Sequence, residues 1–135
     1  MKNVYIYCEG QTEESFVREI LYPYFINSGV YVCPIICTTK RTASKKYKGG
    51  VSDYEKIKRE LTALCRQHHN EYVTTMFDYY AMPDNTPGID CIIPDIYERI
   101  RWIEHTIDDD INLANSILCS MSLKGFCFQN PIHLL

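Results

Sequence analysis

No stretch of this sequence approaches the ~20 consecutive apolar residues that a membrane-spanning helix requires. Nor does the amino terminus hold a signal-peptide core, because the brief apolar run after Lys2 is stopped by Glu9. With both absent, the chain reads as cytoplasmic. A strong charge of either sign is missing too. The net charge of -3 and pI near 5.8 give no global sign of nucleic-acid binding, so any such signal has to be local. No internal repeat and no low-complexity segment is visible, and no Ser or Cys has a catalytic base in a recognisable pattern. Acyl-transfer chemistry therefore has no support.

The cysteines lack metal-site spacing. Cys8, Cys33, Cys37, Cys65, Cys91, Cys119 and Cys127 include no C-x-x-C pair, and Cys33 with Cys37 has no second close pair to complete four ligands. An odd number of thiols in a chain without an export signal points to reduced, mostly buried side chains.

What is present is enough for one globular domain. A complete domain of about this size buries roughly two-thirds of its unfolded surface, sufficient for a core without staples. Val4 to Cys8 is a short apolar run that ends in turn chemistry, the pattern of a buried central strand. Thr12 is the expected N-cap of a helix whose stripe is Phe16, Val17, Ile20, Leu21, Tyr24 and Phe25. Pro23 should kink or end that helix, and Asn27-Ser28-Gly29 should stop it. Val30 to Cys37 is a second strand, with Pro34 suiting an edge. Thr38 to Gly50 reads as a polar loop, and a second helix runs from about Ser52 to His68 on Tyr54, Ile57, Leu61, Leu64 and Cys65. Tyr72 to Tyr79 is a third strand, Met82 to Pro94 a proline-rich loop, and Asp95 to Ile107 a third helix. Strands alternating with helices predict an α/β domain with a mostly parallel sheet and right-handed crossovers.

Two acids end strand candidates. Glu9 follows Val4–Cys8, and Asp78 follows Val73–Phe77. Acids at the carboxyl ends of neighbouring parallel strands face one crevice, where open α/β sheets place their chemistry. Two converging carboxylates suit a hard cation such as Mg²⁺. The plainer reading makes Glu9 a helix cap or surface ion-pair partner and Asp78 a turn former. Gly10, just before a helix, allows close approach of a ligand to the backbone and supplies N–H groups for phosphate. Tyr79 reads as cover for the sheet edge, while Tyr80 would face the same side as Asp78 and could stack on a base. Lys40, Arg41, Lys45, Lys46 and Lys48 make a basic loop in an acidic chain. It is either solvated surface or a phosphate contact whose affinity falls steeply with salt. His68-His69 is expected to end the second helix, and His105 to be exposed.

Taken together, Glu9-Gly10-Gln11-Thr12-Glu13, Lys48-Gly49-Gly50 and Thr74-Thr75-Met76-Phe77-Asp78-Tyr79-Tyr80-Ala81-Met82-Pro83 carry a resemblance. The chain resembles the Toprim-like proteins grouped as domain of unknown function family 4276, over roughly residues 1 to 110. That resemblance implies a Toprim-like fold related to old-type nucleases. It implies Mg²⁺-dependent (or Mn²⁺-dependent) phosphodiester cleavage of prokaryotic defence type. Glu9 would be general acid or base, Asp78 would hold the metal, and Glu13 would assist as a third ligand. Tyr80 stands where the wider fold has a second aspartate, which puts a two-metal mechanism in doubt. The competing expectation is a non-catalytic module that binds DNA, RNA or nucleotide, or docks on an ATPase partner.

Residues 111–135 depart from the family pattern. Relatives carry an H-E-F-E-like motif where this chain has Met121 to Lys124. A permitted codon choice for Met121 to Cys127, read one base earlier, encodes His-Glu-Phe-Glu. The expectation is therefore a frame-disrupted or truncated tail, a sheet incomplete at its carboxyl end and little or no catalysis by this chain.

Overall fold

The computed structural model describes residues 1–37 and 53–111, together with the backbone of Leu123–Lys124. Strand β1 (Lys2–Cys8) leads into α1 (Gln11–Phe16), a π-helical stretch (Val17–Leu21) and α2 (Tyr22–Ile26). Then come β2 (Val30–Ile36), α3 (Tyr54–Gln67), β3 (Tyr72–Asp78), a 3₁₀ turn (Tyr79–Ala81), α4 (Ile96–Ile111) and β4 (Leu123–Lys124). The strands form one sheet in the order β2-β1-β3-β4, and every pairing is parallel. The α/β architecture expected from the alternation of elements is what the chain adopts. No helix among the described residues is long and apolar enough to cross a membrane.

β1 is the central strand and buries both faces. Val4, Ile6 and Cys8 pack with Val17, Phe25 and Val32 beneath the first helical segment. Tyr7 packs on the opposite face with Ile57, Leu61, Leu64 and Cys65 of α3 and with Ile100, Ile103, Ile107 and Ile111 of α4. The period-2 alternation of a strand thus divides one short run between two cores. Fully burying each of those isoleucines contributes about 1.5–3 kcal/mol before chain entropy is set against it. Polar links reinforce the second core. The buried Tyr7 hydroxyl donates to Glu60 of α3, and the Tyr54 hydroxyl donates to Asp110 of α4 at 2.7 Å.

The elements begin and end for local reasons. Asp53 caps α3 through a 3.0 Å bond from the Glu55 amide, worth about 1 kcal/mol. The five residues expected to form its buried stripe are the five that are buried. His68 caps the carboxyl end of α3 and pairs with Glu71 at 3.1 Å, as its expected helix-end position implies. His105 is exposed beside Asp109 on the outer face of α4. Pro34 lies on β2, an edge strand, where a missing N–H costs least. Pro23 does not end the first helical segment. It lacks the amide that would bond Glu19, and the preceding turn widens so that the Tyr22 N–H reaches Val17 instead. The helix starts at Gln11 with Gly10 as N-cap, two residues before the expected Thr12, because Glu13 reaches back to the Gly10 amide.

The loop between the 3₁₀ turn and α4 is tied down. Asn85 accepts from the Tyr54 amide at 3.0 Å and donates to Asp53 at 2.9 Å, joining the loop to the start of α3. Gly88 adopts a φ of 79° and faces α4, where a Cβ would lie 3.2 Å from Thr106 Oγ1 and 3.4 Å from Trp102 Cδ1. Gly29 has a φ of 78° with nothing within 4 Å of the corresponding position. Both Gly→Ala changes force an L-residue into the left-handed region, at about 1–2 kcal/mol. Gly88→Ala also crowds α4, so urea denaturation should show a larger loss for Gly88→Ala than for Gly29→Ala. Equal losses would mean that the loop does not press on α4.

Candidate functional site

The order β2-β1-β3-β4 contains one reversal. The chain crosses from β1 to β2 on one face of the sheet, through α1 and α2, and returns from β2 past β1 to β3 on the other face, through α3. The helices that follow β1 and β3 therefore lie on opposite faces, the arrangement in which open α/β sheets place a crevice at the strands' carboxyl ends. Cys8 pairs with Met76 across that seam, so Glu9 and Asp78 leave the sheet at the same end.

The two acids are also joined chemically. Glu9 is only 8% exposed. Its amide bonds the Met76 carbonyl at 3.4 Å, and its Oε2 accepts from the Asp78 amide at 3.2 Å. Through these two bonds Glu9 fastens the end of β1 to the end of β3. Asp78 is half-buried and turns Oδ1 to the Tyr80 amide at 3.1 Å, capping the 3₁₀ turn. That bond realises its expected turn-forming role. It leaves acceptor capacity, since a carboxylate offers about four acceptor positions.

Glu13, 6% exposed, holds the Gly10 amide at 3.1 Å through Oε2. The structure therefore gives Glu13 a helix-starting task, and the N–H that Gly10 was expected to present to a phosphate is engaged by Glu13. Gly10 itself is extended, with φ -166°. Among the described residues, no three Asp, Glu, His or Cys side chains form a metal-binding group. The oxygen-only donors of Glu9 and Asp78 still match a hard divalent cation, which is commonly held by one or two carboxylates together with water and substrate phosphate. Lys40, Arg41, Lys45, Lys46 and Lys48 lie outside the described residues.

Cys8, adjacent to Glu9, is fully buried. Burial, and then the Glu13 and Glu14 carboxylates, push its thiol up to about 12, so it is not a nucleophile at neutral pH. Arg99, near the start of α4, braces the 3₁₀ turn after Asp78 from outside. Its Nε donates to the Ile93 carbonyl at 2.8 Å, its Nη2 to the Pro94 carbonyl at 3.2 Å, and its Nη1 reaches the Tyr79 hydroxyl at 3.5 Å. The sequence signal for that role is faint: a cation one turn into a helix that follows a proline-rich loop. Beyond Asp78 the sheet continues, because β4 pairs with β3 in the register Phe77–Leu123 and Asp78–Lys124.

The bond between Glu9 and the Asp78 amide has a measurable consequence. Glu9→Ala leaves that amide without its acceptor and should cost about 1–3 kcal/mol in chemical denaturation. Glu9→Gln keeps a carbonyl oxygen and should cost under about 1 kcal/mol. A Glu9→Ala protein as stable as the parent would show that the carboxylate does not hold the strand ends together.

A search of curated proteins and a search of solved structures each returned no match. A family model described as a domain of unknown function, DUF4276, matches residues 8–126, which include Glu9, Asp78 and the β4 backbone. The match covers most of the chain, and the protein belongs to this family.

Proposed function

We propose that the β1–β3 crevice is a phosphodiester-cleaving site dependent on Mg²⁺ or Mn²⁺, on a Toprim-like fold of prokaryotic defence type. The observation that carries this reading is the pairing of Glu9 and Asp78 at the switch point of a parallel sheet, with the Glu9 carboxylate 3.2 Å from the Asp78 amide. In this reading Asp78 and Glu9 hold the cation, and Glu13 assists chiefly by fixing the turn that presents Glu9. Bound there, the cation would polarise a phosphoryl oxygen and acidify its water. Glu9, largely shielded from solvent, accepts a proton from the attacking water or returns one to the leaving oxygen. The basic residues Lys40, Arg41, Lys45, Lys46 and Lys48 supply phosphate contacts that do not depend on sequence. The defence assignment rests on the family resemblance alone.

A second reading, a non-catalytic module that binds nucleic acid or nucleotide or docks on an ATPase partner, draws on two observations. Lys124, a cation, is the register partner of Asp78, and Tyr80 follows Asp78 by two residues; by the family resemblance alone, acids would stand at both places. Both reduce the carboxylate count around the crevice, which weakens cation binding.

One pair of measurements separates the two. On the first reading, calorimetry should detect Mg²⁺ or Mn²⁺ binding at millimolar levels or below, lost in Glu9→Gln and in Asp78→Asn. Cleavage of DNA or RNA should fall at least ~100-fold in Glu9→Gln, the lower range for a general acid–base residue. Absence of metal binding by the parent chain selects the binding module. Cleavage unchanged in both variants removes these residues from the mechanism.

A further inference from the structure

Tyr80 is 72% exposed, although the segment around it is firmly held. Its amide is bound by Asp78 Oδ1 at 3.1 Å, and the 3₁₀ turn that carries it is closed by the Met82 amide on the Tyr79 carbonyl at 3.3 Å. Met82 and Pro83, which follow, are buried. Tyr79 packs against the core, with Arg99 at its hydroxyl, and its ring meets that of Tyr80 edge-on at 5.1 Å between centroids. An aromatic ring is therefore presented to solvent on a braced base. It stands within about 7 Å of chain from Asp78, two residues away.

We propose that Tyr80 is a stacking platform for one nucleobase of a single-stranded nucleic acid whose adjacent phosphate lies at the Glu9–Asp78 crevice. This inference rests on the reading of the crevice as a phosphodiester site. A ring two residues from the metal-holding carboxylate is suitably placed to meet the base of the nucleotide whose phosphate is held there. Base–aromatic stacking tolerates any base and does not need the tyrosine hydroxyl. Duplex DNA hides both faces of every internal base, so the platform selects unpaired or extruded nucleotides. Tyr80 is then a substrate-positioning residue that discriminates between strands, and the departure from a second aspartate has a use.

The test measures binding of the full chain to fluorescein-labelled dT12 by anisotropy, with Ca²⁺ as the divalent ion and strand integrity checked on a gel. Tyr80→Ala should weaken binding by about 5- to 150-fold, the range for loss of one stacked base. Tyr80→Phe should bind as the parent does. A dT12 series with one abasic site moved along it should contain a position that costs the parent the same factor and costs Tyr80→Ala nothing further. Thermal melts should shift little, because the ring is largely exposed and loses one edge-on contact with Tyr79. The inference is overturned by equal binding of parent and Tyr80→Ala, or by an equal loss in Tyr80→Phe. Equal loss on duplex dA12·dT12, full competition by free thymidine monophosphate at matched base concentration, or no binding of dT12 by the parent would overturn it as well. Glu9→Gln and Asp78→Asn cleavage is scored separately on the same strand. A failed stacking test with intact acid dependence removes the platform and leaves the crevice, whereas lost acid dependence removes the crevice itself.

Discussion

Parallel pairing of β1 with β3 is the contact on which the other arrangements depend. These strands are separated in sequence by the first helical segment, β2 and α3, so the seam forms only when both crossovers have found their faces of the sheet. Once formed, it places Tyr7 and Phe77 in one core and Ile6 and Cys8 in the other. It also brings a buried carboxylate within bonding distance of a strand-terminal amide. Loss of register by one residue would exchange the two faces of β1 and separate Glu9 from Asp78.

Burying Glu9 has a cost that the local structure offsets in part. A carboxylate removed from water needs hydrogen-bond donors or a cation, and the Asp78 amide is one such donor. The same economy governs Glu13, which is buried but bound to Gly10. Glu14, by contrast, is half-buried and pairs with the exposed Arg18 at 2.9 Å. Glu9 and Glu13 are instead buried at the carboxyl end of β1. On the function proposed above, a buried acid at the switch point meets charge that arrives with a ligand, and this is why the proposal assigns chemistry to this end of the sheet.

Much of this was readable from residue order, and the failures have identifiable causes. The stripe of α3 stands out because apolar residues recur at helical spacing on a polar background, so its buried face could be named residue by residue. Asp78 and Glu9 were accessible through the rule that strand-end acids converge. Strand order was not, because parallel pairing leaves no local mark, and the reversal beside β1 appears only in three dimensions. The start of α1 was misplaced because Thr12 is the better cap by residue type, whereas a carboxylate three residues beyond Gly10 decided the matter. The role of Pro23 was half right, since a widened turn was not among the expected responses. β4 escaped notice because two residues carry no periodicity, and residues 111–135 had been read as a tail, although Ile111 closes α4 and Leu123–Lys124 joins the sheet.

The central claim is that Glu9 and Asp78 together form a cation site at the β1–β3 switch point. Anomalous diffraction from crystals of the chain grown with Mn²⁺ tests it directly. The account requires an anomalous peak at the carboxyl ends of β1 and β3, with oxygen ligands from both Glu9 and Asp78 and the remaining positions filled by water. A Mn²⁺ peak bound elsewhere, with Glu9 still on the Asp78 amide and no density between the two carboxylates, would contradict it.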